Sequence, residues 1–221
     1  APPSSECVAK ECRSVWGLTS FFIFALAVHF LRRIQIIILV SLLPFRLKKT
    51  SFPGGKEEIS RLLKGLDLAE QKILDIGCGA GGITVSLVKD HGAQHVVGVD
   101  VEEDVVNVAI DRVVKNELKN NIEILLIDKS NLPFEDNYFD IVFSKDSFVH
   151  IPDKEKIFTQ VFKLLKPGGF FVFSDWLISH DQKPSKEMEY YLKLEDLGFG
   201  MGSPLLYLSA LKKSGFVSIK K

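Results

Sequence analysis

The chain has 221 residues, 46% hydrophobic and 25% charged, a globular balance that excludes a disordered or collagen-like polypeptide. Its 28 basic and 28 acidic side chains cancel, yet residues 1–50 hold seven basic residues against two acidic ones, which leaves the remainder acidic. Such a remainder lacks the basic surface that nucleic acid binding requires, so no nucleic acid partner is expected. Cys7, Cys12 and Cys78 build neither a disulfide framework nor a zinc cluster. The main domain therefore reads as reduced and cytoplasmic, with no metal.

Two parts are expected, residues 1–50 and residues 51–221. Residues 14–31 are uncharged and apolar, Arg32 and Arg33 follow, and 34–45 is uncharged again. As a helix the first run would reach about 27 Å at about 1.5 Å per residue, just short of a hydrocarbon core of about 30 Å. Three readings of 1–50 stay open, the least favoured being a packed or cleaved segment. One is a membrane-associated segment over 14–45, with a transmembrane helix that leaves the main domain anchored and facing the cytoplasm, because basic residues follow both runs. Another is sequence foreign to the domain.

From residue 51 onward strands and helices alternate. Phe52-Pro53-Gly54-Gly55 is a turn cluster, and 56–66 is a helix with Ile59, Leu62 and Leu63 on one face. Strands are expected over 72–76, 95–100, 122–128, 139–144 and 170–175. Helices fall between them over 83–90, 103–118 and 154–165, the last stopped by Lys166-Pro167-Gly168-Gly169. The strand over 95–100 is almost continuously apolar, the mark of burial on both faces. Five alternations predict an α/β domain with a doubly wound, Rossmann-like parallel sheet. Gly215-Phe216-Val217-Ser218-Ile219 starts a sixth strand near the end of the chain, so the sheet is expected to be incomplete at its C-terminal edge.

Ligands of such sheets bind outside the carboxyl ends of the strands, where the strand order reverses. Gly77, Gly79 and Gly82 satisfy G-x-G-x-x-G after the first of these strands, and Asp100 closes the next, placed to accept both hydroxyls of a ribose. Dehydrogenases and S-adenosylmethionine enzymes share both features. Asp75 separates them: a carboxylate two residues before Gly77 suits an ammonium group and repels a pyrophosphate. Asp128, followed by Lys129 and Ser130, adds a polar rim suited to an adenine amine.

Leu74-Asp75-Ile76-Gly77-Cys78-Gly79, Val99-Asp100, Leu132-Pro133-Phe134 with Phe139-Asp140, and Leu165-Lys166-Pro167-Gly168-Gly169 resemble, in order and spacing, the motifs of class I S-adenosylmethionine-dependent methyltransferases. Phe143 to Ile151, Ser174-Asp175-Trp176 and the Gly54-Gly55 turn are most similar to phosphoethanolamine N-methyltransferases and related small-amine enzymes. The resemblance implies S-adenosylmethionine as cofactor. Asp75 and Gly77 would hold its methionine end, Asp100 its ribose with Val101 on the adenine, and Asp128 with Lys129 the adenine amine; Gly79 and Lys145 complete the set. It also implies that Asp146 and His150 face the substrate amine as catalytic residues, with Trp176, Tyr190 and Tyr191 on the substrate. The residues agree on the catalytic pair, since a spacing of four places Asp146 and His150 on one face of a helical turn. Histidine is the side chain most easily poised as a base near neutral pH.

Two departures stand out. The lid tyrosine that relatives carry upstream of the Gly-Gly turn has no counterpart, because Tyr138, Tyr190, Tyr191 and Tyr207 all lie downstream. Glu195 and Asp196 stand where the phosphoethanolamine enzymes use an arginine on phosphate, near Lys193. The expected function is methyl transfer to a small amine, first phosphoethanolamine or its methylated forms and second a glycine- or sarcosine-like amine. The rivals are a cofactor-binding domain or membrane-tethered scaffold without turnover, and a dehydrogenase.

Overall fold

Seven strands form one open sheet in a computed structural model that describes residues 35–38, 55–129, 131–178, 185–186, 189–190 and 200–220. These residues belong to the compact unit Arg32–Lys221. The strands are β1 (Gln35–Ile38), β2 (Lys72–Ile76), β3 (His95–Asp100), β4 (Ile122–Leu126), β5 (Phe139–Lys145), β6 (Leu165–Ser174) and β7 (Ser218–Lys220). Their order is β4-β3-β2-β5-β6-β1-β7, and neighbours pair in parallel. The chain winds outward from β2 through β3 to β4, then returns to place β5 on the other side of β2. That reversal makes a crevice above the carboxyl ends of β2 and β5.

Parallel strands need crossovers, and helices supply them. They are α1 (Gly55–Leu62), α2 (Gly82–Lys89), α3 (Glu103–Lys115), α4 (Lys154–Leu164) and α5 (Pro204–Lys213). Helix α3 opens on Glu103 and Asp104 and closes on Arg112 and Lys115, charges that complement its dipole. Asp153 caps α4 by accepting from the Lys156 amide at 2.9 Å, and Ser203 caps α5 ahead of Pro204 by accepting from the Leu206 amide at 3.1 Å.

Period-two alternation sends each strand's side chains to two cores. Leu74, Ile76, Val142, Phe171 and Phe173 enter one, where Phe148, Phe158, Tyr207 and Phe216 build an aromatic cluster. Ile73, Ile141, Phe143 and Val172 enter the other, under Ile59 and Leu62 of α1.

The alternation and the strands β2, β3 and β5 follow the sequence closely; α3 and β4 end early, at Lys115 and Leu126, and four other elements differ. Helix α1 stops at Leu62, and Gly65 then turns the chain at φ +83°. Strand β6 begins at Leu165, ahead of the expected Phe170, because the Pro-Gly-Gly run is pulled along the bulged start of β5, with Phe139 opposite Leu165. The helical turn expected over Asp146 and His150 is a single 3-10 turn, Phe148–His150, which Asp146 precedes with a left-handed φ of +57°. Strand β1 comes from the apolar run 34–45 and lies between β6 and β7, with Gln35 opposite both Phe170 and Ser218. This described part of the expected membrane segment is a strand. Among the described residues no helix is long and apolar enough to cross a membrane. The run 14–31 lies outside them.

Candidate active site

The loop from β2 to α2 is bound to the tip of β3. The amides of Gly77 and Cys78 both donate to the Val99 carbonyl, at 2.9 and 3.0 Å. Gly77 adopts φ +71°, and a Cβ there would stand 2.3 Å from Ser147 Cβ. The loop can therefore lie against the β5 tip only with glycine at this position. Ser147 in turn donates to the Ile76 carbonyl at 3.0 Å, as Ser144 does at 2.9 Å.

Asp100 organises the neighbouring wall. Its Oδ2 accepts from the Gly79 amide at 2.8 Å, and its Oδ1 from the amides of Val101 and Glu102 at 2.7 and 3.2 Å. The carboxylate is half-buried and held by three backbone amides. Asp75 is buried beneath the same loop, where its Oδ2 accepts from the Thr84 hydroxyl of α2 at 2.7 Å. Burial, reinforced by the nearby Asp100 and opposed by the Thr84 bond, raises its carboxyl to about 7. Burial and the same two carboxylates push the Cys78 thiol far above its ordinary value, so this cysteine is unreactive. Asp128 and Lys129 lie exposed beyond β4, Lys129 3.3 Å from Glu102.

The expected catalytic pair follows β5, beyond its carboxyl end. Asp146 follows the strand directly and is held by its own amide, which donates to the Ser174 carbonyl at 2.9 Å. Its carboxylate accepts from Lys145 Nζ at 2.6 Å. Lys145 itself is buried and ion-paired with Glu58 of α1 as well. Burial raises the Asp146 carboxyl above its ordinary value, against the pull of Lys145. His150 ends the 3-10 turn at the surface, its amide on the Ser147 carbonyl at 3.1 Å. Partial shielding, with repulsion from Lys154, lowers its imidazole.

Trp176 is partly buried just past β6, its amide on Asp175 Oδ1 at 2.9 Å. Tyr190 is 64% exposed; Tyr191, Lys193, Glu195 and Asp196 lie outside the described residues. Tyr207 is buried and donates to Asp175 Oδ2 at 2.5 Å. Helix α5 turns its apolar face, Tyr207 included, into the aromatic core.

Two residues around this crevice escaped the sequence reading, and a third, Asp175, stood in a motif with no role of its own. Glu58 and Lys154 are buried charges in helices, and Asp175 is a buried carboxylate raised to about 6 by burial. Lys154 Nζ donates to the carbonyls of Phe148 and Gly200, both at 2.7 Å, and also to that of Ile151. It thereby fastens the turn that carries His150. The available signal was position: Glu58 adjoins Ile59 on the inner side of its helix.

A groove of about 440 Å³ lies at the opposite end of the sheet, lined by Lys72, His95, Asn121 and Tyr138 and by none of the expected site residues. Among the described residues no cluster of metal-ligating side chains occurs. Acidic side chains at the ends of β2, β3 and β5, around a loop that admits close backbone approach, suit a cationic ligand with a ribose. These residues fit S-adenosylmethionine.

The comparisons agree with this geometry. A family model described as "Methyltransferase domain" matches residues 68–197. The chain is 35% identical over 164 residues to phosphoethanolamine N-methyltransferase 1 of Zea mays, covering 74% of this chain and 32% of that protein. Against the phosphoethanolamine N-methyltransferase of Plasmodium falciparum it is 33% identical over 143 residues, 63% of this chain and 52% of that protein. The chain thus spans a third to a half of the relatives it matches. The structure of Haemonchus contortus phosphoethanolamine N-methyltransferase 2 with S-adenosyl-L-methionine superimposes with a TM-score of 0.68 and 32% identity, over 75% of this chain and 38% of that one. A putative sarcosine dimethylglycine methyltransferase from Galdieria sulphuraria gives a TM-score of 0.62 and 28% identity, over 72% and 58%. Fold, loop and sequence together place this chain in the methyltransferase domain family, among the class I S-adenosylmethionine-dependent methyltransferases most similar to phosphoethanolamine N-methyltransferases.

Proposed function

We propose that the domain methylates the nitrogen of a small amine, with phosphoethanolamine and its methylated forms as first substrates. The observation that carries this reading is the place of Asp146 at the carboxyl end of β5, just ahead of the Lys154-fastened turn that ends at His150. S-adenosylmethionine, when bound, supplies an electrophilic methyl group on a sulfonium sulfur. Gly77 lets the loop lie close to the methionine end, with Asp75 beneath it, while Asp100 takes the ribose hydroxyls and Asp128 with Lys129 the adenine. Lys145 reaches this end only through its ion pairs.

An amine attacks only with a free lone pair, so the protonated substrate must first lose a proton. Asp146 orients the cationic amine, and the His150 imidazole, held below its ordinary value and so neutral near pH 7, accepts the proton from its nitrogen. Positioning supplies much of the remaining rate. Trp176, Tyr190 and Tyr191 border the side from which the rest of the substrate enters.

A glycine- or sarcosine-like amine is the second reading, supported by the likeness to the Galdieria sulphuraria protein and by carboxylates at 195 and 196, which disfavour phosphate. The acidic, cysteine-poor domain supports a cytoplasmic placement. The test is turnover by the full chain with S-adenosylmethionine and a panel of phosphoethanolamine, its mono- and dimethyl forms, glycine and sarcosine, with products read by mass. Transfer to the phosphorylated amines supports the first reading. Transfer to the amino acids alone replaces it with the second, and cofactor binding without transfer to any amine leaves a catalytically inactive binder.

A further inference from the structure

Helix α1 buries an acid on the face that carries its apolar residues. Glu58 is 1% exposed, beside the fully buried Ile59 and Leu62. Lys145 Nζ stands 3.1 Å from Glu58 Oε2, and neither Glu58 carboxylate oxygen receives an aligned hydrogen bond. The same ammonium donates to Asp146 Oδ2 at 2.6 Å. Two carboxylates thus share one cation. Side-chain exposure rises along the row, from 1% at Glu58 and 2% at Lys145 to 16% at Asp146.

A buried row with two anions and one cation is short of one positive charge, and its interior end has no route to water. The excess negative charge can be answered only at Asp146, the end that opens on the crevice. We infer that Glu58 is a specificity-determining residue: by claiming part of the Lys145 it shares with Asp146, it leaves the row with a net negative charge, presented at Asp146, that selects a cationic amine. This rests on the reading above that Asp146 faces the substrate.

The electrostatics agree with the geometry. Strand and loop ends bring His150, Asp75, Asp100 and Asp175 to this part of the molecule. Lys145 and Glu58 are the charged groups that move the Asp146 carboxyl, the first lowering and the second raising it. His150 answers instead to Lys154 and Asp100.

The test compares Glu58→Gln, nearly isosteric and uncharged, with Glu58→Asp, which keeps the charge, in the full chain. With phosphoethanolamine as probe, Glu58→Gln should raise KM about fivefold or more, with kcat and S-adenosylmethionine affinity within about twofold of the parent. Glu58→Asp should restore most of the KM. Independently of turnover, the ¹³C resonance of the Asp146 carboxyl, assigned by its loss in Asp146→Asn, should titrate at lower pH in Glu58→Gln. A parent protein that methylates no amine overturns the substrate reading and leaves the Asp146 midpoint to decide the Glu58 inference. An unmoved midpoint, or a fall in kcat and cofactor affinity with unchanged KM, overturns it.

Discussion

Tyr207 of helix α5 and Asp175 at the tip of strand β6 share a 2.5 Å hydrogen bond inside the protein, with the phenol as donor. The bond ties the last helix to the end of the sheet where Trp176 begins. It favours the charged form of a carboxyl that burial has pushed up to about 6.

Stability should therefore respond to Tyr207→Phe in a pH-dependent way. Because Asp175 holds its proton to a higher pH when folded than when unfolded, its ionisation costs stability as pH rises from about 4 to about 6, and the full cost remains above that. Removing the phenolic donor makes the charged form costlier. Tyr207→Phe should lose about 1–3 kcal/mol at pH 7.5 and clearly less at pH 4.5. Urea unfolding at both values checks this; an equal loss would assign Tyr207 to packing alone.

Cofactor binding should be linked to a proton at Asp75. The buried carboxyl is raised to about 7, and a cationic ligand above it favours ionisation. Below pH 7 binding should release a proton and weaken as pH falls, by up to about tenfold per unit. Calorimetry in buffers of different ionisation heat measures the proton directly. Asp75→Asn should bind more weakly and without this pH dependence.

Two glycines of the loop should tolerate alanine very differently. At Gly77 the new Cβ would collide with Ser147, whereas at Gly79, φ +52°, it would meet nothing within 4 Å. Gly79→Ala should cost about 1–2 kcal/mol for the left-handed conformation alone. Gly77→Ala should cost more and also drive Ser147 from the Ile76 carbonyl, with loss of measurable S-adenosylmethionine binding. Thermal melting and cofactor titration on both variants separate the outcomes.

His150→Ala should lower methyl transfer by about 10²- to 10⁴-fold while leaving cofactor affinity and melting temperature close to the parent, since the side chain stands at the surface. Single-turnover rates beside equilibrium titration make the comparison. Equal losses in rate and affinity would give His150 a structural role.

Most of the sheet was legible because its strands announce themselves locally. Lys72–Ile76 and His95–Asp100 are apolar runs that end in a glycine turn or an acid, and their bounds match the sequence reading. Strand β1 was not legible, since Gln35–Ile38 reads equally as part of a membrane run until a distant partner strand selects it. The placing of Asp75, Gly77 and Asp100 around the ends of β2 and β3 was legible from spacing. The geometry of Asp146 was not: spacing by four presumes helical backbone, and its φ of +57° removes it from the turn that holds His150. Lys154 and Glu58 were hidden because a charged residue in a helix ordinarily faces water.

Strand β1 has a consequence for how the chain assembles. Its partners β6 and β7 come much later in the chain, so the earliest described segment must wait for both before its two ladders can close. Until β1 docks, the outer edge of β6 is open, with its peptide groups available to another chain. Contacts this distant in sequence are also the slowest kind to form. The aromatic core around Phe158 and Phe171 can settle first, and the outer margin of the sheet should be the last part to gain protection against hydrogen exchange and the first to lose it.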